Sequence, residues 1–486
     1  MNSQLTYYII QLFPLFKPFL LLLFIIYLGF IKGILLFYVL HSAYYYLMKQ
    51  LYHIEPFSAG DKTFVFRPQS EQYNLLGYIV LENDFDVEEM KKMIINNGIK
   101  RYKKLRSVNL IKHLDFWWKE IPLNDVLTHY SPFETRINST VFNTVDDMIK
   151  YSFNELNIKF DLEHQLPYKF IFVRNTNGVY RNLVIFKADH ILSDGVGFVG
   201  LLSALADNYD IKLFPTSMKK HNTSIMTILS MIFLSPYFAI YNFYRNLISL
   251  NTGLTPFKST TPISGIPKIS ISKAFSFSKY SKINKSIGIT FNDMMMTVFS
   301  SSIKKYFDLY TNYSSSRISV LTPISMRSLP RNPVDLKITN DTSAIACNLP
   351  LIDSTSTSNA MMISSEFKKH VRNISMFKVV KILSDICNVC IPYFMTKALY
   401  HKAARSFDVT FSNVAFPKEP LVYRNNKVMM MYPVMTTGLT YVYVGIYSYN
   451  GNFNVMISVD SSIEVDPGKL MKIYEGEMES MQYIKQ

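Results

Sequence analysis

The residues best suited to chemistry lie between Lys187 and Gly195, in a stretch that reads KADHILSDG. It contains one histidine, His190, between two carboxylates, Asp189 and Asp194. Because the ordinary pKa of histidine is near neutrality, its imidazole can accept and return a proton at physiological pH. The stretch therefore indicates a general base, and the structural alternative is a buried core histidine beside a turn.

The flanking residues predict that His190 stands at the end of a strand. Leu183 to Phe186 is an apolar run typical of a buried strand, and Val196 to Leu205 has the composition of a helix. Gly195, between them, permits a tight turn. A carboxylate in that turn, Asp194, can fix the loop through backbone amides or an arginine. Asp189 can hydrogen-bond the imidazole and raise its pKa, or point into the turn.

The composition of the chain limits its domain organisation and the kinds of site and partner that it can have. The 486 residues are 49% hydrophobic and 15% aromatic, enough for two or three domains or one two-lobed enzyme. Three cysteines, Cys347, Cys387 and Cys390, exclude a disulfide scaffold, and a single Cys-x-x-Cys pair favours simple packing over a metal or redox site. The formal net charge of +15 indicates an anionic partner. Because the chain also has long apolar segments, a membrane and a phosphate-bearing substrate are favoured over nucleic acid.

Two apolar segments predict contact with a membrane. Phe19 to Leu40 carries one charge, Lys32, and exceeds the about 20 residues that a spanning helix needs. A single span is favoured, but Lys32-Gly33 divides the segment, so an interfacial hairpin and a buried helix are the alternatives. Ile225 to Tyr241 has no charge and predicts a crossover that rests on the membrane.

Several short motifs resemble those of the wax ester synthase/diacylglycerol acyltransferase family, within the CoA-dependent acyltransferase superfamily. Asp189 to Gly195 resembles the family's HHxxxDG, with aspartate in place of the first histidine. The other segments follow in the family's order. Gly288 to Met294 resembles the TxND motif, and Pro323 to Arg327 resembles the PVSLR motif. Thr339-Asn340 together with Asn348 to Pro350 resembles the GN…LP motif, and Phe411 to Pro417 resembles the SNVPGP motif. The resemblance covers roughly residues 70 to 480.

The resemblance implies an α/β fold of two chloramphenicol-acetyltransferase-like lobes with a central channel. The N-terminal membrane helix or hairpin is an addition to that fold. The expected divisions are a membrane anchor at 1–50, an N-terminal lobe with the DHxxxDG motif at 51–215, an apolar crossover at 216–258 and a C-terminal lobe at 259–486.

The resemblance also implies a reaction and the residues that perform it. The expected activity is acyl transfer from acyl-CoA to the hydroxyl of diacylglycerol or a fatty alcohol, with His190 as base. Arg327 is the expected partner of Asp194. Asn292, Ser412 and Asn413 are donor candidates for the oxyanion, with helix capping and turn formation as the structural alternative. Asp189, Gly195 and Asp293 are the remaining motif residues, expected to support the site. We expect no metal and no bound cofactor, since acyl-CoA is a co-substrate.

A second reading of the same residues is a protein with little or no catalysis that binds acyl-CoA or lipid on this fold. Asp189, in place of the first motif histidine, is the residue that leaves this alternative open. In either case the expected location is a membrane. We expect the endoplasmic reticulum with the core facing the cytosol, and the plasma membrane is the alternative.

Overall fold

The structure is a computed structural model. It describes residues 3–65, 73–112, 114–137, 139–174, 176–214, 255–371, 405–438 and 440–483, with single residues and short runs between 381 and 396. The predicted crossover helix at 225–241 and Cys387 lie outside the described residues.

The chain begins with a hairpin of two helices, α1 (Ser3–Leu28) and α2 (Phe30–Tyr52). Gly29 separates them with a φ of 77°, a left-handed conformation that glycine adopts readily. The helices pack closely, since a Cβ on Gly33 would lie 2.6 Å from the carbonyl carbon of Phe24. The two helices agree with the predicted alternative of a hairpin, whereas the favoured single helix from Phe19 to Leu40 is wrong. The chain breaks at Gly29 and not at Lys32-Gly33, because Gly33 serves close helix packing.

None of the helices in the described residues has the length and apolar character that a membrane crossing requires. The membrane role of the hairpin stays a prediction.

The first lobe is built on a mixed sheet covered by helices. Its elements are β1 (Ile54–Pro56), α3 (Ala59–Val65), β2 (Asn74–Leu81), α4 (Val87–Ile94), β3 (Ser107–Lys112), β4 (Asp115–Glu120), α5 (Leu123–Thr128), β5 (Phe133–Ile137), α6 (Val145–Asn157), β6 (Tyr168–Arg174), β7 (Leu183–Asp189) and α7 (Gly195–Leu205). Strands β2 and β7 are buried along their whole length, which explains their nearly unbroken apolar sequences. Strands β1, β4 and β3 form a separate small sheet under the N-terminal hairpin.

The second lobe is also built on a mixed sheet covered by helices. The elements of the C-terminal half are β8 (Pro267–Ile271), β9 (Phe275–Ser276), α8 (Phe277–Ile287), α9 (Phe291–Tyr310), β10 (Arg317–Ser325), β11 (Thr342–Pro350), α10 (Thr357–Val371), β12 (Val409–Ala415), β13 (Val422–Tyr423), β14 (Asn426–Met435), β15 (Val442–Tyr449), β16 (Asn452–Asp460) and α11 (Pro467–Ser480). The sheet of the second lobe has the order β11-β10-β12-β15-β16-β8, with β9 paired to β16.

Two strands of the C-terminal half belong to the first lobe. The first sheet has the order β13-β14-β2-β7-β6-β5, and β14 pairs with β2 in antiparallel register, with Tyr432 opposite Tyr78. The predicted division into lobes at 51–215 and 259–486 is therefore incorrect for residues 422–435. Because this strand exchange joins the lobes, neither one is a separate segment of the chain.

Candidate active site

His190 lies at the end of β7, as the apolar run before it predicts. Its backbone N–H donates to the carbonyl of Tyr73, 2.9 Å away, which continues the pairing of β7 with β2. The carboxylate of Asp189 accepts the backbone N–H of Ile191 at 3.0 Å. That contact agrees with the prediction that Asp189 points into the turn.

Asp194 fixes the loop after His190 at both of its carboxylate oxygens. Its Oδ1 caps α7 by accepting the N–H of Gly197 at 2.8 Å. Its Oδ2 accepts from the backbone N–H of Asp341 at 2.7 Å and from Nη2 of Arg327 at 2.6 Å. The predicted pairing of Asp194 with Arg327 is present, and both side chains are buried. This pair joins the histidine loop of the first lobe to the segment between β10 and β11.

The role predicted for Gly195 needs a correction. It has no positive φ and is the first residue of α7, so it does not provide a left-handed turn. A Cβ at this position would instead lie 3.0 Å from the side chain of Val414 in β12. Gly195 therefore permits close approach of α7 to the second lobe.

The imidazole of His190 contacts an aromatic ring and a polar side chain. The ring of Phe64 in α3 stacks on it, with 4.1 Å between centroids and 14° between planes. Its Nδ1 lies 3.2 Å from Oδ1 of Asn340. Burial lowers the pKa of His190 below its ordinary value of 6.5, and the negative charge of Asp194 offsets part of this effect. The lowered pKa favours the neutral imidazole at pH 7, the state that a general base requires.

The other motif residues form local contacts in the second lobe. Asn292 in α9 and Asn413 in β12 are exposed, and the Nδ2 of Asn413 donates to the Oδ1 of Asn292 at 2.5 Å. Ser412 is buried beside the hydroxyl of Tyr443. The structure thus brings Asn292 and Asn413 together, and the oxyanion role of these three residues stays a prediction.

Asp293 has a structural position at the start of α9. Its carboxylate accepts the N–H of Thr290 at 3.0 Å, and the Thr290 hydroxyl accepts the N–H of Asp293 at 3.1 Å. This is a capping box with Thr290 as the N-cap of the helix. The carboxylate also accepts from the Ser364 hydroxyl at 2.8 Å, which ties α9 to α10.

Sequence reasoning missed four residues around His190: Asp61, Phe64, Lys104 and Asn340. Asn340 lies in the Thr339-Asn340 segment, which resembles the GN motif, but the sequence did not indicate its contact with His190. Asp61 and Phe64 lie in α3, which carries no motif, and Lys104 lies in a basic run. Contacts between segments so far apart in the chain leave no signal in a single sequence.

The described residues contain no group of three or more histidine, cysteine, aspartate or glutamate side chains placed to hold a metal ion. Cys347 and Cys390 are buried free thiols. The site therefore contains the partly desolvated imidazole of His190 on a loop that the ion pair of Asp194 and Arg327 holds in place. Such a group can take a proton from a substrate hydroxyl.

Comparison with known proteins agrees with this geometry. Residues 340–482 match the family model described as the WS/DGAT C-terminal domain. The chain is similar in structure to the wax ester synthase/diacylglycerol acyltransferase from Marinobacter aquaeolei VT8, with a TM-score of 0.57 and 14% sequence identity, over 88% of this chain and 98% of that chain.

Two further solved structures share the fold. The TRI3 trichothecene 15-O-acetyltransferase from Fusarium sporotrichioides has a TM-score of 0.61 and 11% identity, over 88% of this chain and 95% of that chain. The starter condensation domain of rhizomide synthetase, solved with C8-CoA and Leu-SNAC, has a TM-score of 0.55 and 10% identity, over 89% of this chain and 94% of that chain. No curated protein sequence matches the chain.

The predicted family resemblance and the two-lobed α/β fold are thus confirmed. Residues 340–482 resemble the C-terminal domain of the wax ester synthase/diacylglycerol acyltransferases, and the chain shares the two-lobed α/β fold of the solved acyltransferases named above.

Proposed function

We propose that the protein is an O-acyltransferase that moves a fatty acyl group from acyl-CoA to the hydroxyl of diacylglycerol or a long-chain alcohol. The observation that carries the proposal is the imidazole of His190 at the end of β7, on a loop held by the ion pair of Asp194 Oδ2 and Arg327 Nη2, which lie 2.6 Å apart. The WS/DGAT C-terminal domain at 340–482 supports the substrate classes. The CoA thioester bound by a condensation domain of the same fold supports acyl-CoA as the donor.

The reaction needs only one proton carrier. The substrate hydroxyl attacks the thioester carbonyl while His190 takes its proton, and a tetrahedral intermediate forms. Collapse of the intermediate breaks the carbon–sulfur bond, and the imidazolium returns the proton to the leaving thiolate. The products are an ester and free CoA. Asn292, Ser412 and Asn413 are the proposed donors to the oxyanion.

Membranes that contain the protein test this function when they are given labelled acyl-CoA together with diacylglycerol and a fatty alcohol. We expect a labelled ester and release of one CoA for each ester, and competition between the acceptors identifies the preferred one. Membranes from cells without the protein are the control. Binding of acyl-CoA without ester formation from either acceptor would favour the alternative of a lipid-binding protein.

We also propose that the N-terminal hairpin attaches the protein to a membrane. Half of the large apolar side chains that are exposed in the described residues lie between residues 16 and 51. Examples on the two helices are Phe19, Ile26, Tyr38 and Val39, each at least 59% exposed. A patch of this extent on a soluble surface marks an interaction site. Because acyl-CoA is made in the cytosol, we propose the endoplasmic reticulum membrane with the core on its cytosolic side.

Charged substitutions in the hairpin distinguish lipid insertion from electrostatic attachment. Ile26→Asp combined with Val39→Asp should release the protein from membranes washed in high salt, because each carboxylate in the hydrocarbon costs about 2.5–3.5 kcal/mol. The wild type should stay bound, since salt screens charge attraction but does not weaken apolar burial. Ile266→Asp with Val334→Asp, exposed apolar residues of the second lobe, is the matched control. Equal retention of both double variants would exclude the hairpin as the anchor.

A further inference from the structure

Asn340 lies between the histidine loop and α3 and contacts both. Its Nδ2 donates to the backbone carbonyl of His190 at 3.0 Å, to that of Ile191 at 3.3 Å and to Oδ1 of Asp61 at 3.0 Å. Its Oδ1 lies 3.2 Å from Nδ1 of His190. Asn340 is 2% exposed, so these contacts are not exchanged with bulk water.

The partners of Asn340 decide which end of its amide faces the imidazole. A carboxylate and two carbonyl oxygens are acceptors only, so the amide nitrogen must face them and the amide oxygen must face His190. An oxygen that faces Nδ1 can only accept. The hydrogen of the neutral imidazole therefore lies on Nδ1, and the lone pair lies on Nε2.

We propose that Asn340 is a positioning residue that holds His190 in the tautomer with hydrogen on Nδ1, and that Asp61 fixes the orientation of the Asn340 amide. The inference rests on the proposed function of His190 as base and assigns Nε2 as the atom that takes the substrate proton. These hydrogen bonds run from Asp61 through Asn340 to His190 and connect residues from the first and second halves of the chain.

Asp61 is itself held in place by a dense set of donors. Its carboxylate accepts from Nζ of Lys104 at 2.9 Å and from the backbone N–H of Asn340 at 2.9 Å. Asp61 is 2% exposed, and the Thr339 hydroxyl donates to it at 3.3 Å. These donors hold the Asp61 carboxylate in one orientation. The carboxylate in turn fixes the orientation of the Asn340 amide, because it accepts a hydrogen bond from Nδ2.

The backbone of α3 is also fitted to Asn340. A Cβ on Gly60 would lie 1.9 Å from the carbonyl oxygen of Asn340, so only glycine permits this approach. Phe64 of the same helix stacks on the imidazole of His190. One short helix thus supplies the carboxylate that orients the amide and the ring that fixes the plane of the imidazole.

The backbone carbonyl of His190 is a second acceptor for the same imidazole. It could select this tautomer without Asn340, so the two acceptors must be separated by experiment. The charged groups that act on His190 are Asp194 and Asp189 of its own loop. Arg327 pairs with Asp194, and Lys104 pairs with Asp61 on the far side of Asn340. Asn340→Ala also removes a donor to Asp61, so Asp61→Asn is compared with it to separate a change at that carboxylate from the loss of the amide.

The experiment combines ¹⁵N NMR of histidine-labelled protein with pH–rate profiles of Asn340→Ala. The His190 signals are those missing in a His190→Ala spectrum. In the wild type we expect a protonated Nδ1 and an unprotonated Nε2, and in Asn340→Ala a mixture of tautomers. We expect kcat to fall roughly 10- to 100-fold with little change in the KM for acyl-CoA. Because the amide oxygen favours the imidazolium, the acid limb of the profile should move to lower pH in the variant.

Asn388→Ala is the matched structural control. Asn388 is 3% exposed and seats the same helix by donating from Nδ2 to the Ala59 carbonyl at 2.7 Å and to the Thr63 hydroxyl at 3.1 Å. It should lower thermal stability but keep the tautomer and the pH profile. Asp61→Asn should give part of the Asn340→Ala effect.

A wild-type spectrum with hydrogen on Nε2 would overturn the inference. So would an Asn340→Ala protein with an unchanged tautomer and unchanged kcat, since the backbone carbonyl would then suffice. The NMR measurement needs no substrate. It therefore separates failure of this inference from failure of the proposed function, which would appear as absence of ester formation in the wild type.

Discussion

Replacement of His190 by alanine is expected to lower kcat/KM for acyl transfer by roughly 100- to 10,000-fold, the usual contribution of a general base. The fold should persist, because the backbone N–H of His190 still pairs with Tyr73 and the loop is still held by Asp194 and Arg327. Steady-state rates with labelled acyl-CoA measure the loss, and a thermal unfolding curve verifies the fold.

The control for this experiment is His164→Ala. The side chain of His164 is 76% exposed and contacts Asp161 at 3.0 Å, so its loss should leave the rate and the unfolding temperature unchanged. Activity of His190→Ala within a factor of three of wild type would exclude His190 as the base. A loss in both variants would indicate a general effect on the protein rather than on proton transfer.

Local patterns in the sequence predicted local structure well. The strand Leu183–Asp189 follows from an apolar run, and its end places His190 as expected. Asn450 and Gly451 have φ values of 48° and 76° and join β15 to β16, as Asn-Gly between two β-rich runs predicts. In these cases the determining interactions lie within a few residues, so sequence alone carries the information.

Contacts between distant segments were not predictable. β14 leaves the second lobe to pair with β2, and nothing in its largely apolar sequence distinguishes one sheet edge from another. Asp61 and Asn340 lie 279 positions apart and meet only when both lobes have folded. The sequence shows the motif that contains Asn340, but the contact of Asn340 with the His190 imidazole depends on the position of α3 in the folded protein.

The seating of α3 also depends on the N-terminal hairpin. Lys62, the residue after Asp61, forms a 2.5 Å ion pair with Asp115 at the start of β4. The other Asp115 oxygen accepts from the Tyr45 hydroxyl of α2 at 2.6 Å and lies 3.4 Å from Nζ of Lys17 in α1. One carboxylate therefore joins both hairpin helices to the helix that contacts His190.

This cluster is charged and buried. The side chains of Lys17, Lys62 and Asp115 are 3%, 5% and 7% exposed. Burial alone would raise the pKa of Asp115, but the ammonium groups of Lys62 and Lys17 outweigh it and hold the pKa below its ordinary value. A carboxyl whose pKa is lowered on folding stabilises the native state above its unfolded pKa, near 4, and loses that contribution as the pH falls. The contribution is therefore complete at pH 7.

Asp115→Ala is expected to lower the free energy of unfolding at pH 7 by about 3–5 kcal/mol, because two ammonium groups are left buried without a countercharge. Denaturant unfolding in mild detergent measures the change. Asp308→Ala is the control: Asp308 pairs with Lys304 at 2.5 Å on the surface of α9, and such pairs contribute about 0.3–0.5 kcal/mol.

If Asp115→Ala does not fold, the triple variant Lys17→Met, Lys62→Met, Asp115→Leu should restore folding, because it removes all three charges and keeps apolar volume. A loss below about 1 kcal/mol in Asp115→Ala, or a triple variant no more stable than it, would show that the hairpin is held by its apolar contacts with Trp117 instead.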